Sequence, residues 1–122
     1  MGRRCLIVDD NPGFLKAARD LLGRQGVEIV AVASTSAEAL ALLAELRPEL
    51  VLVDVDLGPE SGLELARRIV AGDVPAQVIL ISAYAETDLH ELIETSPAVG
   101  FLSKGALSGA AIDALLSASP DT

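Results

Sequence analysis

Apolar runs and helical stripes alternate along the whole chain. Cys5 to Val8, Val27 to Ala33, Leu50 to Val53, Val78 to Ile81 and Val99 to Ser103 have the length and β-branched content of strands. After the first, Asn11 and Pro12 suit the N-cap and first turn of a helix with a stripe of Phe14, Ala18, Leu21 and Leu22, stopped by Gly23 and Gly26. Thr35 and Glu38 form a capping box ahead of Ala39, Leu42, Leu43 and Leu46, and Pro48 ends that segment. Ser61 and Glu64 form another, so a helix starts beside Gly62 and runs through Leu65, Ala66, Ile69 and Val70. Thr87 caps the weakest helix, whose narrow stripe of Leu89, Leu92 and Ile93 is interrupted at Ser96 and Pro97. Leu107, Ala111, Ile112, Leu115 and Leu116 line the last.

Strict strand–helix alternation with short connections predicts parallel strands, right-handed crossovers and helices on both faces of the sheet. The expected class is therefore α/β, a doubly wound five-stranded parallel sheet. Leu50 to Val53 carries no polar position, the pattern of a central strand buried on both faces.

Length narrows this to a single domain over 1–122, with a folded core over about 4–117 and a tail or the start of a linker over 118–122. No apolar run approaches the roughly 20 residues that span a bilayer, and the first residues lack the order of a secretory signal. One cysteine cannot form an internal disulfide, so the expected compartment is cytoplasmic, without a membrane partner. Cys5 reads as a buried small hydrophobe. A net charge of −9 with only 9 basic residues argues against direct nucleic-acid binding, which needs clustered Lys and Arg.

The chemistry lies where the strands end. Asp9 and Asp10 close the first, Asp54 the third, Ser82 the fourth and Lys104 the fifth. In a parallel sheet these ends share one edge, the place where open α/β sheets bind ligands. Two like charges 4 Å apart cost about 4 kcal/mol at an effective dielectric of 20, so three carboxylates need a positive partner. An oxygen-only set with open water positions favours Mg²⁺, and Lys104 adds a permanent charge. A carboxylate nucleophile, a metal, a hydroxyl and a lysine are the parts needed to place a phosphoryl group on an aspartate. Each residue also has a plainer reading: Asp54 as a loop or capping aspartate, Asp9 and Asp10 as an N-cap, Ser82 as a turn residue, Lys104 as a surface lysine. His90 reads as a solvated surface residue.

The motifs LIVDDN, LVDVDLG, ILISAY and GFLSKG, in that order, resemble the receiver domain of two-component response regulators, chemotaxis regulators included, over nearly the whole chain. The resemblance implies a flavodoxin-like (βα)5 fold with strand order 2-1-3-4-5. It makes Asp54 the phosphoacceptor for a sensor histidine kinase's phosphohistidine and implies no enzyme beyond self-catalysed phosphorylation and dephosphorylation. It assigns Mg²⁺ to Asp10 directly, Asp9 through water, Asp54, and the backbone carbonyl of Asp56. Ser82 and Lys104 would contact the phosphoryl group. Phe101, three residues before Lys104, matches the family's switch aromatic. The signalling surface would be the fourth helix, fifth strand and fifth helix, roughly Thr87 to Ser117, acting on an output domain or protein target. A phosphorylation-dependent homodimer stays open.

Gly58 and Gly105 stand where the family usually has proline, which predicts a trans bond after Lys104. The resemblance also puts Asp56 and Tyr84 at positions that tune phosphoryl lifetime in that family. Three rival readings remain. DVDLG resembles the DxD motif of haloacid dehalogenase-type phosphatases, although that strand normally opens the domain. A nucleotide- or flavin-binding module suits the topology, but DDNPG is acidic where a phosphate needs amides and positive charge. A degenerate receiver would act as a phosphorylation-independent interaction module.

Overall fold

The structure is a computed structural model that describes residues 3–83 and 94–118. Strands β1 (Arg3–Val8), β2 (Val27–Ala33), β3 (Leu50–Asp54), β4 (Gln77–Ser82) and β5 (Gly100–Ser103) form one parallel sheet in the order β2-β1-β3-β4-β5. This is the expected flavodoxin-like order. The sequence expected β1 at Cys5, but Arg3 and Arg4 extend it by pairing with Val27 and Glu28.

Alternate strand residues feed opposite faces. Leu6, Val8, Val51, Val53, Val78 and Leu80 pack under α2 (Ser36–Leu46) and α3 (Gly62–Ala71), against Ala39, Leu43, Leu65, Ala66 and Ile69. Cys5, Ile7, Leu50, Leu52, Ile79 and Ile81 pack under α1 (Pro12–Arg24) and the last helix (Gly109–Ala118), against Leu15, Ala18, Leu22 and Ile112. Both faces of β3 are covered, which is why its sequence lacks alternation.

The helix starts follow the capping chemistry. Asn11 Oδ1 accepts from the Phe14 N–H at 3.1 Å, Thr35 Oγ1 from that of Glu38 at 3.1 Å, and Ser61 Oγ from that of Glu64 at 3.2 Å. The return bond of the first box goes one residue further back than expected, from the Ser34 N–H to Glu38 Oε1 at 2.8 Å. In the second, Glu64 Oε1 instead pairs with Arg67 at 3.4 Å. Arg47 ends α2 with a φ of 47°, and the Arg4 guanidinium donates to the Leu46 and Arg47 carbonyls at 2.6 and 2.9 Å. A cation thus satisfies acceptors at the helix's negative end.

Three local features differ from the sequence reading. The loop after β3 folds into an antiparallel hairpin, Asp56–Leu57 against Glu60–Ser61. Lys104 opens a 3-10 turn over Lys104–Ala106, which delays the last helix to Gly109. Val70 lies on the solvent side of α3 at 45% exposure. The helix expected from Thr87 through Leu89, Leu92 and Ile93, with His90 and Tyr84, lies outside the described residues. Among the described residues, no helix is long and apolar enough to cross a membrane.

Candidate functional site

Strand register brings the polar ends together. Val8 pairs with Val53, so Asp9 and Asp54 leave adjacent strands at the same level. Asp54 pairs with Ile81, and Ser82 pairs with Ser103, the residue before Lys104. Asp10 and Asp56 join them on the loops, and the cleft they share is also lined by Ser82 and Lys104.

Each carboxylate is held differently. Asp9 is fully buried, its Oδ1 accepting from the Asn11 N–H at 2.9 Å. Its Oδ2 is balanced by the Lys104 ammonium 2.6 Å away rather than by a well-directed hydrogen bond. Asp54 is 4% exposed; its Oδ1 accepts from the Asp56 N–H at 3.1 Å and its Oδ2 from Lys104 Nζ at 3.2 Å. Asp10 is exposed. Ser82 is buried at the same edge.

Asp9, Asp10 and Asp54 each offer an oxygen within 4.8 Å of the others. One lysine cannot balance three carboxylates at that spacing. Burial pushes the Asp54 carboxyl up to about 6; the Asp56 N–H opposes this, the Asp9 charge adds to it, and Lys104 opposes it. For Lys104, burial favours loss of the proton, but Asp9 and Asp54 outweigh it and the net direction is upward. The lysine therefore stays charged while the acids stay crowded. All-oxygen donors and an Asp9 Oδ2 without a well-directed hydrogen bond suit a small, hard divalent cation.

Two further contributors, Gly62 and Phe14, were not marked in the sequence as site residues. Gly62 lies so close to the backbone of Asp54 that a Cβ would fall 1.8 Å from the Asp54 carbonyl oxygen. A glycine in the first turn of an otherwise strong helix was the available signal. Gly58 turns the hairpin with a φ of 70°, and a Cβ there would come 3.0 Å from Asp10 Oδ2. The Phe14 ring lies under Lys104, with Nζ 4.4 Å from its centroid. Phe101 packs inward, 9% exposed, in the core beneath α3. Burial pushes the Cys5 thiol up to about 12, which leaves it an inert core residue. Among the described residues there is no cis peptide, in keeping with Gly105 after Lys104.

A model of the response regulator receiver domain matches residues 5–115. The chain belongs to that family. Chemotaxis protein CheY of Thermotoga maritima is 30% identical to this receiver domain over 86 residues, 70% of this chain and 72% of that protein. Sporulation initiation phosphotransferase F of Bacillus subtilis is 30% identical over 103 residues, covering 84% of this chain and 80% of the other. A protein-glutamate methylesterase/protein-glutamine glutaminase of Haloarcula marismortui is 30% identical over 105 residues; they make up 84% of this receiver domain but only 28% of that protein. Among solved structures, the signal receiver domain of NarL from Mycobacterium tuberculosis superposes with a TM-score of 0.80 at 26% identity, covering 99% of this chain and 98% of that one. A Burkholderia pseudomallei response regulator, described with a phosphorylated aspartic acid and a calcium ion, superposes at 0.76 and 26% identity, over 98% of this chain and 67% of that one.

Proposed function

We propose that this receiver domain takes a phosphoryl group from a sensor histidine kinase onto Asp54. The observation that carries the reading is the pairing of a buried carboxylate, Asp54, with a charged Lys104 and two further carboxylates at the meeting point of β1, β3, β4 and β5. An Asp54 oxygen attacks phosphorus; the P–O bond forms as the P–N bond to the kinase imidazole breaks, and the imidazole keeps the electron pair. Lys104 turns from Asp54 to the transferred group's oxygens, and the Ser82 hydroxyl donates to another. Asp9, Asp10, Asp54 and the Asp56 carbonyl would hold a Mg²⁺ ion, which would supply neutralising charge between the anionic donor and the anionic acceptor. Hydrolysis of the aspartyl phosphate resets the site, and the Asp56 side chain at the cleft's rim is placed to influence the water.

Phosphorylation then biases two packings of the surface that includes β5 and the last helix, with Phe101 changing rotamer, toward an output domain or protein target. The phosphorylated aspartic acid in the Burkholderia pseudomallei relative supports this reading. The test is intact mass after incubation with Mg²⁺ and phosphoramidate. One phosphoryl adduct that needs Mg²⁺, is lost in Asp54→Asn and is labile to alkali is expected. No adduct on a folded chain would overturn the reading in favour of a phosphorylation-independent interaction module, and continuous phosphate release would favour a phosphatase.

A further inference from the structure

Among the described residues Lys104 meets three groups in the site, and one of them is not a carboxylate. Its Nζ lies 2.6 Å from Asp9 Oδ2, 3.2 Å from Asp54 Oδ2 and 4.4 Å from the centroid of the Phe14 ring. The backbone that carries the ring is fixed by the helix cap. Phe14 sits in the first turn of α1, its N–H bound to the capping oxygen of Asn11 at 3.1 Å, and its side chain is half-buried against the core beneath α1. Asn11 in turn donates its own N–H to Asp9 Oδ1 at 2.9 Å. The turn that aims the Asp9 carboxylate therefore also sets the ring beneath the ammonium.

We propose that Phe14 is a positioning residue for the phosphorylation of Asp54, acting through Lys104 as an aromatic ledge for its ammonium. The proposal rests on the phosphoacceptor reading above. Lys104 must exchange its bond to Asp54 for one to the incoming phosphoryl group. A water or a third acceptor on its open side would compete for the same N–H groups. The face of a phenyl ring attracts the cation through its quadrupole yet offers no lone pair that must be given up. It also covers the lysine, which is 20% exposed. Phe14 thus covers the ammonium and holds it level with Asp54 while it changes partners. Cation–π attraction of the strength found at partly exposed sites corresponds to an effect on the order of two- to fivefold in rate.

The test measures the rate of phosphorylation by phosphoramidate at saturating Mg²⁺, a small donor that leaves kinase docking out of the readout. It compares the wild type with Phe14→Leu, Phe14→Tyr, Lys104→Met and the double variant Phe14→Leu/Lys104→Met. The expected result is a two- to fivefold slower rate in Phe14→Leu, recovery in Phe14→Tyr, and no further loss when Phe14→Leu is added to Lys104→Met, because the ring acts only through the ammonium. The Lys104 ε-methylene proton resonances report the contact independently: stacking on the ring shifts them upfield, and Phe14→Leu removes the shift. Equal rates in wild type and Phe14→Leu, a loss that Phe14→Tyr does not restore, or additive losses in the double variant would each overturn the role of Phe14 and leave the phosphoacceptor reading standing. No adduct on the wild type would overturn both, and so distinguishes the two failures.

Discussion

At the scale of single residues, the site is a contest between burial and charge. Asp54 loses water as β3 enters the core, and its carboxyl rises to about 6. An ordinary aspartate in the unfolded chain titrates about two units lower. Between those values the folded protein holds a proton that the unfolded chain has lost, so this group's contribution to stability falls as pH rises from about 4 to about 6 and is flat above. Without divalent metal, Asp54→Asn should therefore melt progressively higher than wild type as pH rises through that window; a gap that stays constant or narrows would contradict it. Gly62 makes a second prediction. A Cβ there would meet the Asp54 carbonyl oxygen at 1.8 Å, so Gly62→Ala must displace β3 or α3. A loss of about 1–3 kcal/mol in urea unfolding is expected, as for overpacked cores, together with slower phosphorylation. The sequence marks Asp9, Asp10, Asp54, Ser82 and Lys104 because polar residues ending apolar runs stand out. Gly62 and Phe14 escaped because their partners are 8 and 90 positions away and nothing in the local pattern names them.

At the scale of elements, local chemistry and packing agree except where a loop crosses the site. The N-caps of α1, α2 and α3 were all legible, since a capping side chain and the N–H it binds lie three residues apart. Thr35→Ala should cost about 1 kcal/mol without altering phosphorylation, because Thr35 caps α2 and does not line the cleft. Chemical denaturation and phosphoramidate labelling of the same preparation check both halves. Leu52 is fully buried in the centre of β3, and Leu52→Ala should cost about 2–5 kcal/mol through lost contacts and a residual cavity. The hairpin after Asp54 was not legible as strands. Its two-residue arms owe their pairing to the left-handed turn at Gly58 and to Leu57, which is 1% exposed, being drawn into the core.

At the scale of the whole molecule, the crowded carboxylates of the cleft couple ion binding to the stability of the fold. Three carboxylates face one lysine, and a divalent cation that binds only the folded site stabilises the fold by mass action, by about 2.7 kcal/mol at a concentration one hundred times its Kd. Mg²⁺ should raise the melting temperature in proportion to the logarithm of its concentration, whereas NaCl at equal ionic strength should not reproduce the rise. Asp10→Asn should abolish most of it; an undiminished response would place the ion elsewhere.

The sequence by itself determined the class of fold, the strand order through the family it resembles, and the four polar strand ends, because these depend on short periodicities and on which residue follows each apolar run. Only the tertiary structure decided how those ends are paired. Register sets Asp9 beside Asp54, a 3-10 turn carries Lys104 between them, and the first turn of α1 slides a phenyl ring beneath the ammonium. These are relations between elements distant in the chain, and they arise from the packing of both helical layers on one twisted sheet rather than from any local preference.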